Sequence, residues 1–296
     1  MKYFFIFLLL IAFHSYTNAA VFGRLMFGSH LRQLFSDTDS VIKKRSVSVG
    51  VNYGSDVQFF GRTGPITYPY MSTDAIYNFK TGVFVYGSGV KVLGYNPVFD
   101  EVDLGVGQLF KYSKNFSGSI SYTRFIFDKD AAPIIKSLSL NDINFKNSFD
   151  WKIAKSSIIF DYLFGKENDY FITINTSKYI ETDWGIFDDK DFLSFNPTIT
   201  AIFGTQNFVG EYSSAHKNQL GLTDALIPSE PTFKPSLYNN GRFNALNYSI
   251  KLPVAYNRPH YTFEASWKYS IPVDVEGALK NKHELFFNLT FIYVFF

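Results

Sequence analysis

The residue types best able to do chemistry in this chain are histidine, serine and the carboxylates, and their spacing forms no catalytic set. A His with a Ser two residues later, oriented by an Asn, would suit lipid hydrolysis, because that arrangement activates the hydroxyl as a nucleophile. After residue 20 the histidines are His30, His216, His260 and His283, and none has a Ser at the second following position. We therefore predict no catalytic residue.

One acidic run has the charge of a metal site but not its spacing. Asp188-Asp189-Lys190-Asp191 brings three carboxylates together, yet it lacks the alternate-residue spacing and the glycine of a calcium loop. The chain has no Cys, and its histidines do not cluster, so we find no transition-metal ligand set. We predict no metal and no cofactor.

The other charged residues are informative because they alternate with apolar ones. From residue 46 onward, apolar side chains recur at every second position, which is the period of a β-strand with two unlike faces. Twelve such segments follow one another, separated by turns and longer connections. The last segment has six apolar residues on one face: Leu285, Phe287, Leu289, Phe291, Tyr293 and Phe295.

These segments predict an all-β fold, a transmembrane antiparallel up-and-down β-barrel of about twelve strands over residues 45–296. Aromatic residues make up 19% of the chain, which suits a lipid-facing surface with an aromatic girdle at each end. No apolar run after residue 20 is long enough for a transmembrane helix, so a membrane span would have to be β. The alternative is a soluble β-sandwich or lipocalin-like barrel, whose single core so many large aromatics would overfill.

Several local assignments follow from the alternation. Strand one is predicted to continue through Val57 and Phe59. The third strand is predicted to turn four residues to the lipid: Phe84, Tyr86, Val90 and Val92. With both barrel ends of the chain in the periplasm, a long turn at 183–191 joins four short ones there, and the connections 128–138, 205–241 and 273–281 lie outside.

The same orientation places the aromatic residues in two girdles. The periplasmic girdle is predicted to contain Phe79, Phe84, Tyr112, Phe116, Trp151, Trp184, Phe192, Tyr256, Tyr261, Tyr293 and Phe295. The outer girdle is predicted to contain Phe59, Tyr70, Phe127, Phe164, Tyr170, Phe203, Phe243 and Tyr269.

The residues before the barrel have a different character. Residues 1–3 carry one positive charge, 4–13 are almost wholly apolar, and small residues reach Ala20, which predicts a signal peptide over 1–19 that is cleaved after Ala19 or Ala20. Residues 20–44 have apolar side chains at roughly helical spacing. They could form a tail, a helix in the lumen or a periplasmic helix, and we favour a tail or loosely held helix.

Three segments together with the closing aromatic strand resemble recurring pieces of outer-membrane β-barrel proteins of Gram-negative bacteria, in particular uncharacterised barrels of the Bacteroidota. They are 195–199 (Phe-Asn-Pro-Thr-Ile), 203–206 (Phe-Gly-Thr-Gln) and 248–256 (Tyr-Ser-Ile-Lys-Leu-Pro-Val-Ala-Tyr). The resemblance covers about residues 45–296 and implies the bacterial outer membrane as location. It also implies recognition of the C-terminal strand by the barrel-assembly machinery, although Phe296 is an extra residue after the usual closing aromatic.

The face opposite the lipid carries charged residues, which in a membrane protein must meet water or a partner. These lumen-lining candidates are Asp56, Asp74, Lys91, Glu101, Asp103, Lys111, Lys146, Asp150, Lys152, Asp161, Lys251, Glu264 and Lys268. They could line a hydrated pore with opposing charges, or pair across a closed interior. Residues 205–241 could fold in as a constriction or stay an exposed loop, and their candidate contacts are Tyr212, His216, Lys217, Phe233, Lys234 and Tyr238.

We therefore expect a monomeric outer-membrane barrel that acts as a passive channel for small solutes through a polar lumen. The alternative is a non-conducting structural or surface-interaction barrel that acts through its external loops, and an enzyme is a third hypothesis that no motif supports. The expected partners are outer-membrane lipid, lipopolysaccharide and the assembly machinery. Mixed charges and a net charge of +2 give no sign of nucleic-acid binding.

Overall fold

The computed structural model describes residues 45–64, 67–132, 135, 139–207, 242–275 and 281–296. Its strands are β1 (Ser46–Gly54), β2 (Tyr70–Asn78), β3 (Val83–Val92), β4 (Glu101–Lys111), β5 (Phe116–Phe127), β6 (Ser139–Asp150), β7 (Lys155–Gly165), β8 (Asp169–Ser177), β9 (Ile180–Glu181), β10 (Phe192–Phe195), β11 (Thr198–Gly204), β12 (Asn244–Asn257), β13 (Tyr261–Pro272) and β14 (Glu284–Phe295). Within these ranges no helix is long and apolar enough to cross a membrane. The predicted signal peptide (1–19) and the 20–44 segment lie outside the described residues.

Twelve of these strands close into one antiparallel barrel. Val47 of β1 pairs with Tyr77 of β2 on one side and with Phe295 of β14 on the other, so the first and last strands meet. β11 pairs with both β8 and β12, which completes the ring. The predicted fold class is confirmed. We call the end that holds Ser46 and Phe295 the terminal end, and the opposite end the loop end.

β9 and β10 extend two barrel strands beyond the terminal end. Thr198 pairs with Ser177 and Ser194 pairs with Glu181, so one register runs through both strand pairs. Pro197 lacks an amide hydrogen and interrupts the strand that the sequence predicts as continuous from 193 to 203. The predicted long turn at 183–191 is therefore the tip of an extended hairpin at the terminal end.

The outer surface of the barrel is a band of exposed apolar side chains. On β14, Phe291 and Phe295 are 43% and 52% exposed, whereas Asn288 and Thr290, which alternate with them, are buried inside. β1, β2, β5, β8 and β11 repeat this alternation of buried and more exposed residues. A soluble barrel would bury its apolar face, so this band fits lipid and excludes the soluble alternative.

Aromatic rings form a continuous row on the outer surface near the terminal end. Tyr112 packs on Phe116, Phe116 on Phe149, and Phe149 on Trp151, with ring centroids 4.8, 6.5 and 4.4 Å apart. Phe79, Tyr112, Trp151, Trp184 and Phe295 are all exposed. Such a row is typical of a membrane–water interface, where amphipathic rings sit at headgroup level.

The predicted face of β3 is wrong. Phe84, Tyr86, Val90 and Val92 are buried inside the barrel, and Lys91 lies on the outward face. The aromatic rings fit because the facing strand has Gly105 and Gly107, where an added Cβ would overlap the rings of Tyr86 and Phe84. These four residues of β3 thus lie in the lumen instead of facing lipid.

Four girdle assignments are also wrong. Phe84 lies inside the barrel, Tyr70 is buried in the lumen, and Phe59 and Phe127 pack against the buried apolar residues of the interior. Tyr170, Phe243 and Tyr269 are exposed as predicted.

The lipid-facing band predicts how a charge introduced into it would change the stability of the barrel. Ile250 lies in the middle of β12 on the outward face and is 37% exposed. Ile250→Arg should lower the free energy of unfolding by about 2–4 kcal/mol, because a charge near the bilayer midplane must be desolvated. Denaturant unfolding in vesicles measures this. Val98→Arg is the control, since Val98 is 80% exposed in a connection at the loop end. Equal costs for both variants would contradict the placement of the band.

Candidate functional site

The lumen is crossed near its loop end by residues 55–64, which we call the inner loop. The sequence suggested that strand one continues through Val57 and Phe59, but β1 ends at Gly54. Phe60 and Gly61 have φ angles of 46° and 78°, which reverse the chain, and Phe59 and Arg62 bridge across this turn. The outward extension of strand one is therefore wrong, because the chain folds inward at this turn.

The tip of the inner loop packs into an apolar cluster. Phe60 is fully buried and stacks on Phe171 of β8 with ring centroids 3.3 Å apart. The cluster is completed by residues from four further strands: Phe125, Leu163, Ile202 and Leu246. Because these side chains come from β5, β7, β11 and β12, the inner loop reaches the wall opposite its own strand.

Polar contacts fix the inner loop to the last strands of the barrel. Arg62 donates to the carbonyl of Leu246 (2.6 Å), to Gln206 Oε1 (3.0 Å) and to the carbonyl of Asp274 (3.1 Å). Lys268 Nζ donates to Gln58 Oε1 at 2.6 Å. Hydrogen bonds from charged donors are stronger than neutral ones, so these contacts hold the loop in place.

The other side of the inner loop meets a second apolar cluster. Val57 packs with Tyr68, Tyr70, Val90, Val92, Ala132 and Ile135. Asp100 ties the connection after β5 to this cluster, accepting from the amides of Ala132 and Val92 at 2.8 Å each. Contacts on both sides of the inner loop therefore narrow the lumen at the loop end.

Buried acidic and basic side chains occupy different parts of the barrel wall. Buried carboxylates lie on β2, β4, β6, β7 and β8: Asp74, Glu101, Asp103, Asp142, Asp161 and Asp169. Buried Lys251 and Lys268 lie on β12 and β13 and pair directly across the strands. In the ring order five barrel strands separate β4 from β12 on either side, so Glu101 and Asp103 lie on the wall opposite Lys251, whereas only one strand separates Asp169 on β8 from β12.

Local contacts hold charges on each wall. Lys251 Nζ lies 2.8 Å from Glu264 Oε1 in a largely buried ion pair. On the acidic side, Asp161 accepts a hydrogen bond from Asn144 Nδ2 at 2.5 Å. Asp74, Ser88 and Asp103 share one rung of the sheet across β2, β3 and β4. The charges are therefore held by the barrel strands themselves.

The structure distributes the lumen-lining candidates among three locations. Buried or partly buried inside the barrel are Asp56, Asp74, Glu101, Asp103, Lys146, Asp161, Lys251, Glu264 and Lys268. Lys111, Asp150 and Lys152 are exposed at the terminal end. Lys91 is on the outward face near the loop end, where its Nζ donates to the carbonyls of Tyr95 and Pro97 and lies 3.8 Å from Asp100.

The predicted constriction and the described one differ. Tyr212, His216, Lys217, Phe233, Lys234 and Tyr238 lie outside the described residues, so their role stays a prediction. The sequence analysis missed Arg62, Asp100, Asp142 and Asp169, although all four are buried. The signal for Arg62 was available: Gly61-Arg62-Thr63-Gly64-Pro65 is a turn sequence that interrupts the alternation.

A separate charged cluster fastens the extended hairpin at the terminal end. Arg258 Nη2 lies 2.7 Å from Asp188 Oδ2 and 3.4 Å from Asp191 Oδ2, and Tyr256 Oη donates to Asp191 at 2.8 Å. Burial would raise the pKa of Asp191, but hydrogen bonds from Tyr256, from the amides of Ile186 and Phe187, and from Arg258 lower it below its ordinary value.

No group of residues suited to hold a metal ion occurs in the described part of the chain.

A closed even-numbered barrel with an apolar exterior is the architecture of bacterial outer-membrane proteins, and the protein is an outer-membrane β-barrel. No family model and no curated protein matches the chain. Among solved structures it is similar to the KdgM porin (TM-score 0.46, 8% identity, 84% of this chain and 99% of that one). It is also similar to the NanC porin (0.46, 10%, 83% and 98%) and to an outer membrane channel from Pseudomonas putida F1 (0.41, 10%, 88% and 99%).

The inner loop should loosen when its guanidinium is removed. Arg62→Ala deletes three hydrogen bonds from a buried charged donor. The backbone amides of Phe59 and of the residue at position 62 should therefore exchange hydrogen at least about tenfold faster. Hydrogen exchange of the barrel in detergent measures this. Arg242→Ala, at an exposed position, is the control. Unchanged exchange in Arg62→Ala would show that the apolar cluster alone holds the loop.

The hairpin cluster should respond to acid. Because folding lowers the pKa of Asp191 below 3.8, its carboxylate stabilises the hairpin above that pH, and the stabilisation is lost as the pH falls through the lowered pKa. Hydrogen exchange at Ile186 and Phe187 should therefore rise below about pH 4. In Asp191→Asn it should be fast at every pH. Asp189→Asn, in the same turn, should keep the native profile, and a native profile in Asp191→Asn would contradict this role.

Proposed function

We propose that the protein is an outer-membrane channel for small hydrophilic solutes, narrowed by the inner loop and lined by charged side chains. The observation that carries this proposal is the uneven distribution of charge around the lumen: six buried carboxylates lie on β2 to β8 together with Lys146, and Lys251 and Lys268 lie on β12 and β13 together with Glu264. Opposed charges set up a field across a narrow water-filled passage, which orients polar solutes and selects among ions.

The width of the barrel supports the same proposal. Eight strands give an interior just wide enough for side chains to fill, and the interior grows with strand number. Twelve strands with many small inward residues, such as Ser48, Ser72, Ser88, Thr173 and Thr200, leave more space than side chains of that size occupy. We propose that water fills this space and that the barrel works as a monomer.

One observation favours a second candidate, a non-conducting barrel that acts through its external loops. The cluster around Phe60 consists of fully buried apolar side chains from five strands. An apolar constriction of this kind can exclude water and ions. An enzyme remains a third hypothesis. Hydrolysis of phospholipid by the refolded protein would support it.

The basic wall should determine ion selectivity. Lys251→Gln and Lys268→Gln remove positive charge while keeping polar side chains, so the ratio of cation to anion permeability should rise, and the Glu variants should raise it further. Reversal potentials in planar bilayers under a KCl gradient measure this.

Lys114→Gln, in an exposed turn at the terminal end, is the matched control and should leave the reversal potential unchanged. Variants are first checked for the heat-modifiable gel mobility of a folded barrel. Unchanged reversal potentials in all the lysine variants would contradict the charged-wall proposal. Absence of any current from folded wild-type protein would instead favour the non-conducting barrel.

A further inference from the structure

One charged residue of the described barrel lies in the middle of an apolar stretch of the lipid-facing surface. Arg124 of β5 is exposed on the outward face, between Tyr122 and Ile126, which are 40% and 48% exposed. Its partners across the sheet are Leu104 of β4, which is 52% exposed, and Asn141 of β6. A charged side chain in this setting needs either water or a counter-charge.

The position of Arg124 along β5 sets the depth of its charge. It lies three residues before the end of the strand at Phe127, or about 10 Å along the strand. An arginine on the lipid face costs about 2–4 kcal/mol at the midplane and about 0–1 kcal/mol near the interface. Its long side chain can lift the guanidinium toward the loop end, which places the charge at headgroup depth.

The guanidinium is held in a defined orientation. Asn141 Oδ1 accepts from Arg124 Nη1 at 2.9 Å and from Tyr122 Oη at 2.8 Å. Asn141 Nδ2 in turn donates to the carbonyl of Phe164 at 3.1 Å, which fixes the carboxamide. This neutral partner orients the cation without neutralising it, and the described residues provide no carboxylate within ion-pair distance of Arg124.

A row of aromatic side chains lies beside the guanidinium. Tyr122, Ile143, Tyr162 and Tyr170 pair in sequence across β5, β6, β7 and β8 and share the outward face. The rings of Tyr162 and Tyr170 stack with centroids 4.8 Å apart. Tyrosines at a membrane interface present an apolar ring to acyl chains and a hydroxyl to the polar headgroup.

We propose that Arg124, Tyr122 and Asn141 form a binding site for the phosphate of an outer-leaflet phosphorylated glycolipid. Guanidinium and phosphate form charge-assisted hydrogen bonds of matched geometry, and the neighbouring tyrosine row suits the boundary between sugar and acyl chains. The site lies toward the loop end, which is the outer one when both barrel ends of the chain are periplasmic. The outer leaflet therefore supplies the ligand.

Native mass spectrometry of the whole barrel in nanodiscs tests this proposal. The wild-type protein, Arg124→Gln and Arg124→Lys are each reconstituted with bisphosphorylated lipid A, with phosphatidylglycerol or with phosphatidylcholine, and the lipid retained per barrel is counted. Lys282→Gln removes the same charge from an exposed position at the loop end, away from the tyrosine row, and serves as the matched control. Heat-modifiable gel mobility establishes that each variant is folded.

We expect Arg124→Gln to retain lipid A with about tenfold lower affinity, since one or two charge-assisted hydrogen bonds are lost. The affinity of Arg124→Lys for lipid A should lie between those of the wild-type protein and Arg124→Gln, because lysine keeps the charge but lacks the planar donor pair. Lys282→Gln should match the wild-type protein. Equal retention of lipid A by wild type and Arg124→Gln would overturn the site. Equal retention of phosphatidylglycerol and lipid A by wild type would overturn the assignment to a glycolipid.

Discussion

The structure depends on one constraint, the need to pair every backbone amide and carbonyl where no water is available. Twelve strands meet it by closing the sheet, and the closing contact is between β1 and β14. This seam consists of eight residue pairs, from Val47↔Phe295 to Gly54↔Asn288. Inside it, Thr290 Oγ1 donates to Asn52 Oδ1 at 2.9 Å. Once the sheet is closed, each strand has one face in lipid and one in the lumen, which fixes where charge can lie.

The lumen shows how the interior of such a barrel can be both polar and narrow. The inner loop carries Phe60 and Arg62 in one turn, where Phe60 joins the apolar cluster and Arg62 makes polar contacts with β12 and with residues that follow β11 and β13. The charged residues lie on regular strands instead, where hydrogen-bonded neighbours such as Asn144 and Asp161 hold their positions. The loop that narrows the lumen is thus held by contacts with distant strands, whereas the charged side chains are held by the strands that carry them.

Much of this architecture could be predicted from the sequence because the alternation is strong where only one face meets lipid. The apolar face of β14 was assigned correctly, since Leu285, Phe291 and Phe295 are all exposed on the outer surface. β3 was assigned to the wrong face because Gly87, Gly89 and Lys91 make its outward face look like a lumen face. The deciding residues, Gly105 and Gly107, lie on the next strand. Prediction of the inner loop failed because its apolar residues bury against distant strands. Local pattern contains no information about such contacts.

The inner loop and the seam share a further property, the great distance along the chain between the groups they join. Arg62 and Leu246 are 184 residues apart, Gln58 and Lys268 are 210 apart, and Asn52 and Thr290 are 238 apart. Contacts of such high sequence separation form late, because the loop-closure entropy is lost before they contribute. The strands from β1 to β8 can each pair with the strand that follows in the chain. The free edge of β1 and the inner loop find their partners only when the last strands have formed. Narrowing of the lumen is therefore coupled to completion of the wall, so a partly assembled barrel has neither a closed edge nor a seated inner loop.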